Sequence, residues 1–333
     1  MQTVITGATG LVGANLAILL LEQGHKVRCT RRKSSRIEHL AAFPIEWVEA
    51  DLGDTESLVR AFSGADVVFH CAAEVVTRPQ VTDSMRQANV EGTNRVLEAV
   101  RRAGGPRLVY VSSVVTLGIT QGAQHVDEEH AFNYDKVGIR DAYAETKREA
   151  EELVRAAAAR GEVDVVVVNP TYMLGPYDIR PSSGQLIIDV VRGNVPGHSY
   201  GFNCFVDVRD VCRGMILAWQ KGRRGERYIL GGHNMTYREG MELIARVAGV
   251  KPPRLGIPRW AAQVVGWGGD MYEKLSGRLA LLNSTRVAYA YTTGFRFSSE
   301  KARRELGYQP GPLEPAIVDA LKWFREHGML PAA

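Results

Sequence analysis

Tyr143 and Lys147 stand four residues apart in Tyr143-Ala144-Glu145-Thr146-Lys147. On a helix that spacing puts phenol and ammonium on one face. A lysine so placed stabilises phenolate and draws down a hydroxyl pKa that is ordinarily about 10, so the tyrosine can exchange a proton near neutrality. The same pair also arises by chance, as a surface tyrosine beside a solvated lysine. Ser113 weighs against chance. It ends the strand-like run Val109-Tyr110-Val111-Ser112-Ser113, and open α/β sheets take their ligands at the carboxyl ends of strands. A tyrosine tuned in this way suits proton transfer.

A second set of residues is suited to an anion. Thr6-Gly7-Ala8-Thr9-Gly10-Leu11-Val12-Gly13 lies between a first strand and a first helix. Gly7 permits a tight bend, Gly10 lets backbone approach a pyrophosphate, and Gly13 lets helix and strand pack closely. Thr9, Leu11 and Val12 complete the turn, where the helix start presents N–H groups and a positive dipole end. Glycine triplets are weak alone, but this position between strand and helix reads as a dinucleotide site. NAD sites usually carry an acid at the end of the second strand. Here Val27-Arg28-Cys29-Thr30-Arg31-Arg32-Lys33-Ser34-Ser35-Arg36 has none and is rich in cations. A guanidinium grips a 2′-phosphate in two-point fashion, so NADP(H) is preferred, with NAD(H) as the alternative. Arg32 is the first candidate, with Arg31 and Arg36 in reserve; a ligand-free solvated loop is the plainer alternative.

These residues need elements to position them. Strands are expected at Thr3–Thr6, Lys26–Thr30, Ile45–Glu49, Asp66–Cys71, Leu108–Ser112 and Val163–Val168, several of them continuously apolar as strands covered on both faces are. Helical patterns over Leu11–Gln23, Glu56–Phe62, Val81–Arg102 and Asp141–Arg160 alternate with them. Strand–helix alternation predicts parallel crossovers and a doubly wound α/β sheet of Rossmann type. Beyond Pro170 prolines and glycines interrupt the chain, ending in a helix over Glu314–Glu326. The expected division is a dinucleotide-binding unit over residues 1–170, to which 205–220 returns. Residues 171–204 and 221–333 form a smaller C-terminal substrate-binding lobe.

Composition bounds the partners. The chain has 333 residues, 45% hydrophobic and 23% charged, with a formal charge of +4 and dispersed cations, which argues against nucleic acid. No leader pattern opens the sequence, and no apolar run approaches the ~20 residues of a membrane span. Neither nucleic acid nor membrane is expected as a partner. Cys29, Cys71, Cys204 and Cys212 form no close pair and read as free thiols of a cytoplasmic protein. The histidines show no ligand spacing, so no metal site is expected.

The chain resembles extended short-chain dehydrogenases/reductases of the NAD-dependent epimerase/dehydratase type over nearly its whole length. The glycine turn, Ala50-Asp51-Leu52, His70-Cys71-Ala72-Ala73, Asn89-Val90-Glu91-Gly92-Thr93, Ser112-Ser113, Tyr143 with Lys147, Asn169-Pro170, Gly175-Pro176 and Phe205-Val206-Asp207-Val208-Arg209-Asp210-Val211 match in order. The resemblance implies that Asp51 and Leu52 hold the adenine end, Ala72 and Ala73 back the middle of the cofactor, and Pro170 borders the nicotinamide. It further implies that Lys147 holds the nicotinamide ribose, Tyr143 is the general acid/base and Ser113 bonds the reacting oxygen. It also implies a homodimer in which helices over Asn89–Arg102 and Ala144–Arg160 pair, through small and aliphatic residues such as Ala99, Ala150, Leu153, Val154 and Ala157.

The stretch from Asn169 to Asp178 is similar to dihydroflavonol-4-reductase-like proteins, and to the bacterial branch labelled hopanoid-associated sugar epimerases. Those labels imply different chemistry. Dehydratases of the group carry Asp-Glu after the catalytic hydroxyl residue, where this chain has Val114 and Val115. Related UDP-sugar 4-epimerases carry an asparagine near Tyr172 and a diphosphate-binding arginine near Asn203; Arg278 or Arg286 are the available substitutes. Together with the basic cluster, this favours NADP(H)-dependent reduction of a carbonyl on a small organic substrate over NAD-dependent epimerisation of a sugar-type one. A non-catalytic, redox-sensing module is the third alternative, but such relatives usually lose the Tyr/Lys pair that this chain keeps. Glu74, Ile119, Tyr172, Met173, Tyr177, Tyr200 and Phe202 flank the motifs and are candidate pocket residues or ordinary packing. Residues 176–184 are a candidate lid or a plain loop.

Overall fold

The computed structural model describes residues 1–120, 122 and 124–331. Its main sheet has seven parallel strands: β1 (Gln2–Thr6), β2 (Lys26–Arg31), β3 (Glu46–Glu49), β4 (Val67–His70), β5 (Arg107–Val111), β6 (Val165–Pro170) and β9 (Arg227–Leu230). Their order is β3-β2-β1-β4-β5-β6-β9. The chain winds outward in both directions from β1 and β4, which creates the crevice where such sheets bind ligands.

Strand sequences explain why both faces are covered. Ile5, Phe69, Val109, Val166 and Val168 pack into one core, while their neighbours Val4, Val68, Leu108, Val165 and Val167 pack into another. Side chains alternate along a strand, so a continuous apolar run buries into two layers at once. On the first face lie α1 (Leu11–Glu22), α7 (Val208–Lys221) and α11 (Glu300–Leu306). On the second lie α2 (Thr55–Phe62), α4 (Gly92–Arg102) and α5 (Ala142–Ala159).

One expected helix is divided. Residues 81–102 form a single turn, α3 (Asp83–Met85), then a π-helical segment, Arg86–Glu91, then α4. Asn89 turns inward there, its amide donating to the Glu74 carbonyl and to the Thr146 hydroxyl, while Thr93 donates to the Asn89 carbonyl at 2.6 Å. These bonds hold the widened turn.

The second lobe is built on a three-stranded sheet, β10-β8-β7, from β7 (Tyr172–Leu174), β8 (Phe202–Asp207) and β10 (His233–Thr236). Helices α6 (Gln185–Arg192), α8 (Tyr237–Ala248) and α12 (Glu314–Glu326) surround Phe205, Ile244 and Phe324 in its core. A hairpin of α9 (Arg259–Ser276) and α10 (Ser284–Tyr291) lies outside that core. Residues 221–333 do not all belong to this lobe. β9 extends the main sheet in register with β6, and Tyr228, Leu230, Ala302, Leu306 and Tyr308 bury into the main core. Tyr228 and Leu230 are buried on one face of β9 and Ile229 on the other. Ala332 and Ala333, within the expected lobe, lie outside the described residues.

The stripe expected to pair two copies is mostly engaged at home. Ala99, Ala150, Val154 and Ala157 are buried in the chain's own core, and only Leu153 is exposed. Small residues let α4 and α5 approach the sheet, and that use accounts for them.

Candidate active site

The glycine turn has the shape a phosphate needs. Gly7 has φ +75°, and a Cβ there would lie 2.6 Å from the Ala72 nitrogen. A Cβ on Gly13 would lie 2.4 Å from the Gly7 oxygen, so both positions exclude any side chain. At Gly10 a Cβ would meet only the Gly7 oxygen, at 3.5 Å. Gly10 therefore keeps a space open in front of α1, rather than serving the fold. Helix α1 begins with no side-chain cap and no acid in its first turn. That leaves its positive end undiminished for an anion.

Across the crevice, Ser113 leaves β5 in an extended conformation and Tyr143 opens the first turn of α5. The two hydroxyls are neighbours: burial pushes the Tyr143 hydroxyl well above its ordinary value, and the nearby Ser113 hydroxyl draws it back down. Asp141 caps α5, accepting from the Tyr143 N–H at 3.0 Å, and so fixes where the tyrosine emerges. Lys147 is buried one turn on. Its ammonium donates to the Val111 carbonyl at 2.8 Å and the Tyr110 hydroxyl at 2.9 Å, and lies 4.4 Å from the Tyr110 ring centre. Burial lowers its pKa to about 8, against the pull of Glu151 and Cys71. Contrary to the expectation from sequence, Lys147 is not among the groups that draw down the Tyr143 hydroxyl; its ammonium is turned to Val111 and Tyr110. Ser113 lies beside the phenol, and the lysine is held on the floor of the crevice.

Known proteins carry the same arrangement of sequence. Residues 3–231, well over half of the chain, match the NAD dependent epimerase/dehydratase family. The chain belongs to that family. A Synechocystis protein bearing the provisional name dihydroflavonol 4-reductase is 35% identical over 97% of this chain and 94% of its own length. Sterol demethylase protein B of Methylococcus capsulatus is 36% identical over 99% of this chain and 100% of its own. Among solved structures, a nucleoside-diphosphate-sugar epimerase from Pseudomonas aeruginosa superposes with a TM-score of 0.80, at 26% identity and 99% coverage of both chains. The family's oxidoreductases work with a nicotinamide dinucleotide, and the cradle described above fits one: two glycines that admit no Cβ, a third that keeps its space open, and an uncapped helix end.

The remaining candidates of this epimerase/dehydratase family member border the same crevice. Arg32 and Arg36 are exposed after β2, and among the described residues neither forms an ion pair, whereas Lys33 lies 3.7 Å from Glu49. Arg28 is not available, since it bonds Glu46 and the carbonyls of Ala61 and Ser63. Asp51 is exposed after β3, its carboxylate accepting from the Gly53 N–H at 2.7 Å, and Leu52 packs beneath Gly92 of α4. Ala72 and Ala73 follow β4, and Pro170 is buried at the end of β6.

Three functional neighbours went unremarked in the sequence. Tyr110 receives the lysine. Asp141, with its pKa raised to about 6 by burial, also accepts a short bond from Tyr289. Glu151 is buried and accepts from Ser112, Thr116 and Asn169, and pairs with Arg227 at 3.1 Å. The Glu151 cluster joins β6, α5, β9 and the segment after β5 beneath the candidate catalytic residues. Its signal was present: residues 143, 147 and 151 recur every four positions, on one helix face. Several candidate pocket residues instead do structural work. Tyr172 packs on Phe205 and donates to the Ser183 carbonyl. Glu74 accepts from Ser84. The 176–184 segment is fastened, since Asp178 accepts from the N–H groups of Ser182 and Gly184 at 3.0 Å and Asn15 donates to the Pro176 carbonyl at 2.9 Å.

Proposed function

We propose that the protein is an NADP(H)-dependent oxidoreductase that reduces a carbonyl on a small organic substrate, with Ser113, Tyr143 and Lys147 as its catalytic residues. The observation that carries this reading is the Ser113–Tyr143 pair at the carboxyl edge of the sheet, with the Lys147 ammonium buried beside it. The turn from Gly7 to Gly13, with Thr9, Leu11 and Val12, would hold the pyrophosphate. Arg32 would meet a 2′-phosphate, Asp51 and Leu52 the adenine end, Ala72, Ala73 and Pro170 the cofactor's inner face, and Lys147 the ribose. A bound nicotinamide supplies hydride. Tyr143 donates the proton that the carbonyl oxygen gains, and Ser113 bonds that oxygen as negative charge develops on it. Asp141 holds Tyr143 in place by capping its helix.

Reduction is favoured over epimerisation of a nucleotide sugar by the state of the two arginines available to hold a diphosphate. Arg286 turns one nitrogen to the Leu281 carbonyl at 2.7 Å, and Arg278 is exposed on the turn after α9. The Synechocystis relative's name points the same way. The reading includes a homodimer across the outward sides of α4 and α5, which sedimentation velocity would report as twice the chain's mass.

The deciding experiment supplies the chain with NADPH deuterated at the transferable position and a panel of ketones and aldehydes. Reduction consumes the cofactor and moves the label into product. A nucleotide sugar inverted with no net consumption of cofactor would overturn the reading in favour of epimerisation. Calorimetry should show NADPH bound at least about tenfold more tightly than NADH, roughly 1.4 kcal/mol, and Arg32→Ala should erase the difference. Equal affinities in the unaltered chain would remove the 2′-phosphate assignment.

A further inference from the structure

The α9 helix is packed with its large apolar side outward. Its buried residues are Ala262, Gly266 and Glu273, two small groups and an acid. The opposite stripe, at intervals of three and four, is Trp260, Val264, Trp267, Met271 and Leu275, whose exposures run from 58% to 79%. Leu279 and Leu281 extend the apolar surface past the helix end. A helix of a water-soluble domain ordinarily buries the stripe that this one exposes.

The helix cannot roll over to correct this. A Cβ on Gly266 would come within 3.0 Å of Val287, and one on Gly269 would lie 1.9 Å from the Leu282 oxygen. Glu273 points inward to accept from the Asn283 amide at 3.1 Å and the Ala280 N–H at 3.0 Å. Asn283 in turn donates to the Thr77 carbonyl at 2.9 Å. The small residues and the buried acid lock the inward side, and the tryptophans are left to the outside.

Charge identifies what covers them. Between residues 251 and 281 the exposed charged side chains are Lys251, Arg254, Arg259, Lys274 and Arg278, all cations. None of them forms an ion pair among the described residues. The acids of this stretch face inward or are engaged: Glu273 as above, and Asp270 by accepting from the Ser284 N–H at 3.0 Å. An apolar stripe holding tryptophan, flanked by unpaired cations and free of exposed acids, is suited to the interface of an anionic bilayer. There the stripe enters the acyl boundary and the cations meet headgroups.

We propose that α9 and the turn after it are a monotopic docking face for anionic phospholipid membranes. No helix among the described residues is long and apolar enough to cross a membrane, and a helix lying in the interface needs no such length. The expectation of no membrane partner rested on the lack of a span, and this proposal goes beyond it. The face is rigidly tied to the crevice. Asn283 bonds Thr77 in the loop after β4, Thr285 donates to the Arg140 carbonyl at 2.6 Å, and Tyr289 bonds Asp141, two residues before Tyr143. Docking would therefore set the crevice at a fixed height above the bilayer.

The test uses the full chain and reads partition, so it stands apart from the chemistry proposed above. Sedimentation with vesicles of phosphatidylcholine, alone or with about 30 mol% phosphatidylglycerol, should show binding to the anionic vesicles that weakens as salt is raised. Tryptophan emission should shift to shorter wavelength on binding, because Trp260 and Trp267 are the exposed pair. Trp267→Ser with Met271→Ser should keep the thermal melt of the unaltered chain and lose about tenfold in partition. Lys274→Glu with Arg278→Glu should lose the preference for anionic vesicles while keeping the fold. Absence of binding at low salt, or equal binding by the Trp267→Ser/Met271→Ser chain, would overturn the proposal. An oligomer that dissociates in that variant, with no vesicle binding by the unaltered chain, would overturn it and assign the face to a second copy.

Discussion

Helices α5 and α9 are both 18 residues long, and they are packed in opposite senses. α5 buries Ala150, Val154 and Ala157 against the sheet and also draws Lys147 and Glu151 inside, each with partners waiting. α9 buries two small residues and one acid and leaves its bulk outside. Apolar periodicity would point both helices inward by their largest side chains. The difference teaches that a buried polar anchor with satisfied bonds decides a helix's facing as firmly as greasy surface does, because an unpaired buried charge costs more than an exposed leucine. In α5 the anchors lie under the candidate reaction site. In α9 the anchor reserves a surface.

The sharpest way to break this contrast is to remove one atom from α5. Tyr143→Phe should cut turnover by at least about 10²-fold while leaving dinucleotide affinity within a few-fold, since only the proton-carrying oxygen is lost. Steady-state kinetics beside calorimetry would check both halves. A variant keeping a tenth of the rate, roughly 1.4 kcal/mol, would move the chemistry elsewhere. Met271→Ser on α9 should leave turnover with a water-soluble carbonyl substrate unchanged.

The two buried acids come next. Glu151→Ala strands Arg227 and the donors of Ser112, Thr116 and Asn169, and should cost about 3–5 kcal/mol in urea unfolding. Glu273→Ala leaves the Asn283 amide and the Ala280 N–H without their acceptor and should cost about 1–3 kcal/mol. If Glu273→Ala proved neutral, the anchor explanation for the facing of α9 would fail.

The most gradual effect is in pH dependence. Lys147 has a folded pKa of about 8, below its ordinary 10.5, so the folded chain releases this proton before the unfolded chain does. The unfolded state then binds more protons between those values, and stability from this group rises with pH across that window, by at most about 1.4 kcal/mol per unit. Conversely, that contribution is complete above 10.5 and is lost as pH falls through about 8. Lys147→Met should flatten this rise in unfolding measured from pH 8 to 10, and an unchanged slope would show that the lysine is not buried as described.

How much was legible follows from what each feature depends on. The parallel sheet was, because runs such as Val165–Val168 bury on two faces and only covered strands can be so apolar. The glycine turn was, because a backbone that rejects Cβ atoms at Gly7 and Gly13 must be written as glycine. The tyrosine–lysine spacing was, because a helix repeats locally. The return of β9 to the main sheet was not, because an edge strand is chosen by which edge remains uncovered after the rest has folded. Nor was the reuse of Ala99, Ala150 and Ala157 as sheet-facing residues, since small side chains permit close approach without saying to what.

The sequence by itself determined the strand and helix order of the layered sheet, the glycine turn and the four-residue spacing of Tyr143 and Lys147, each of which rests on neighbours within a few positions of each other. Only the tertiary structure decided that Lys147 rests on Val111 and Tyr110, that Glu151 ties four elements beneath the site, and that α9 shows its tryptophans to the outside. Those outcomes depend on donors and acceptors far apart in the chain, such as Thr77 for Asn283 and Arg227 for Glu151. A buried polar group takes whichever partner folding brings within reach, and no local pattern records which one that is.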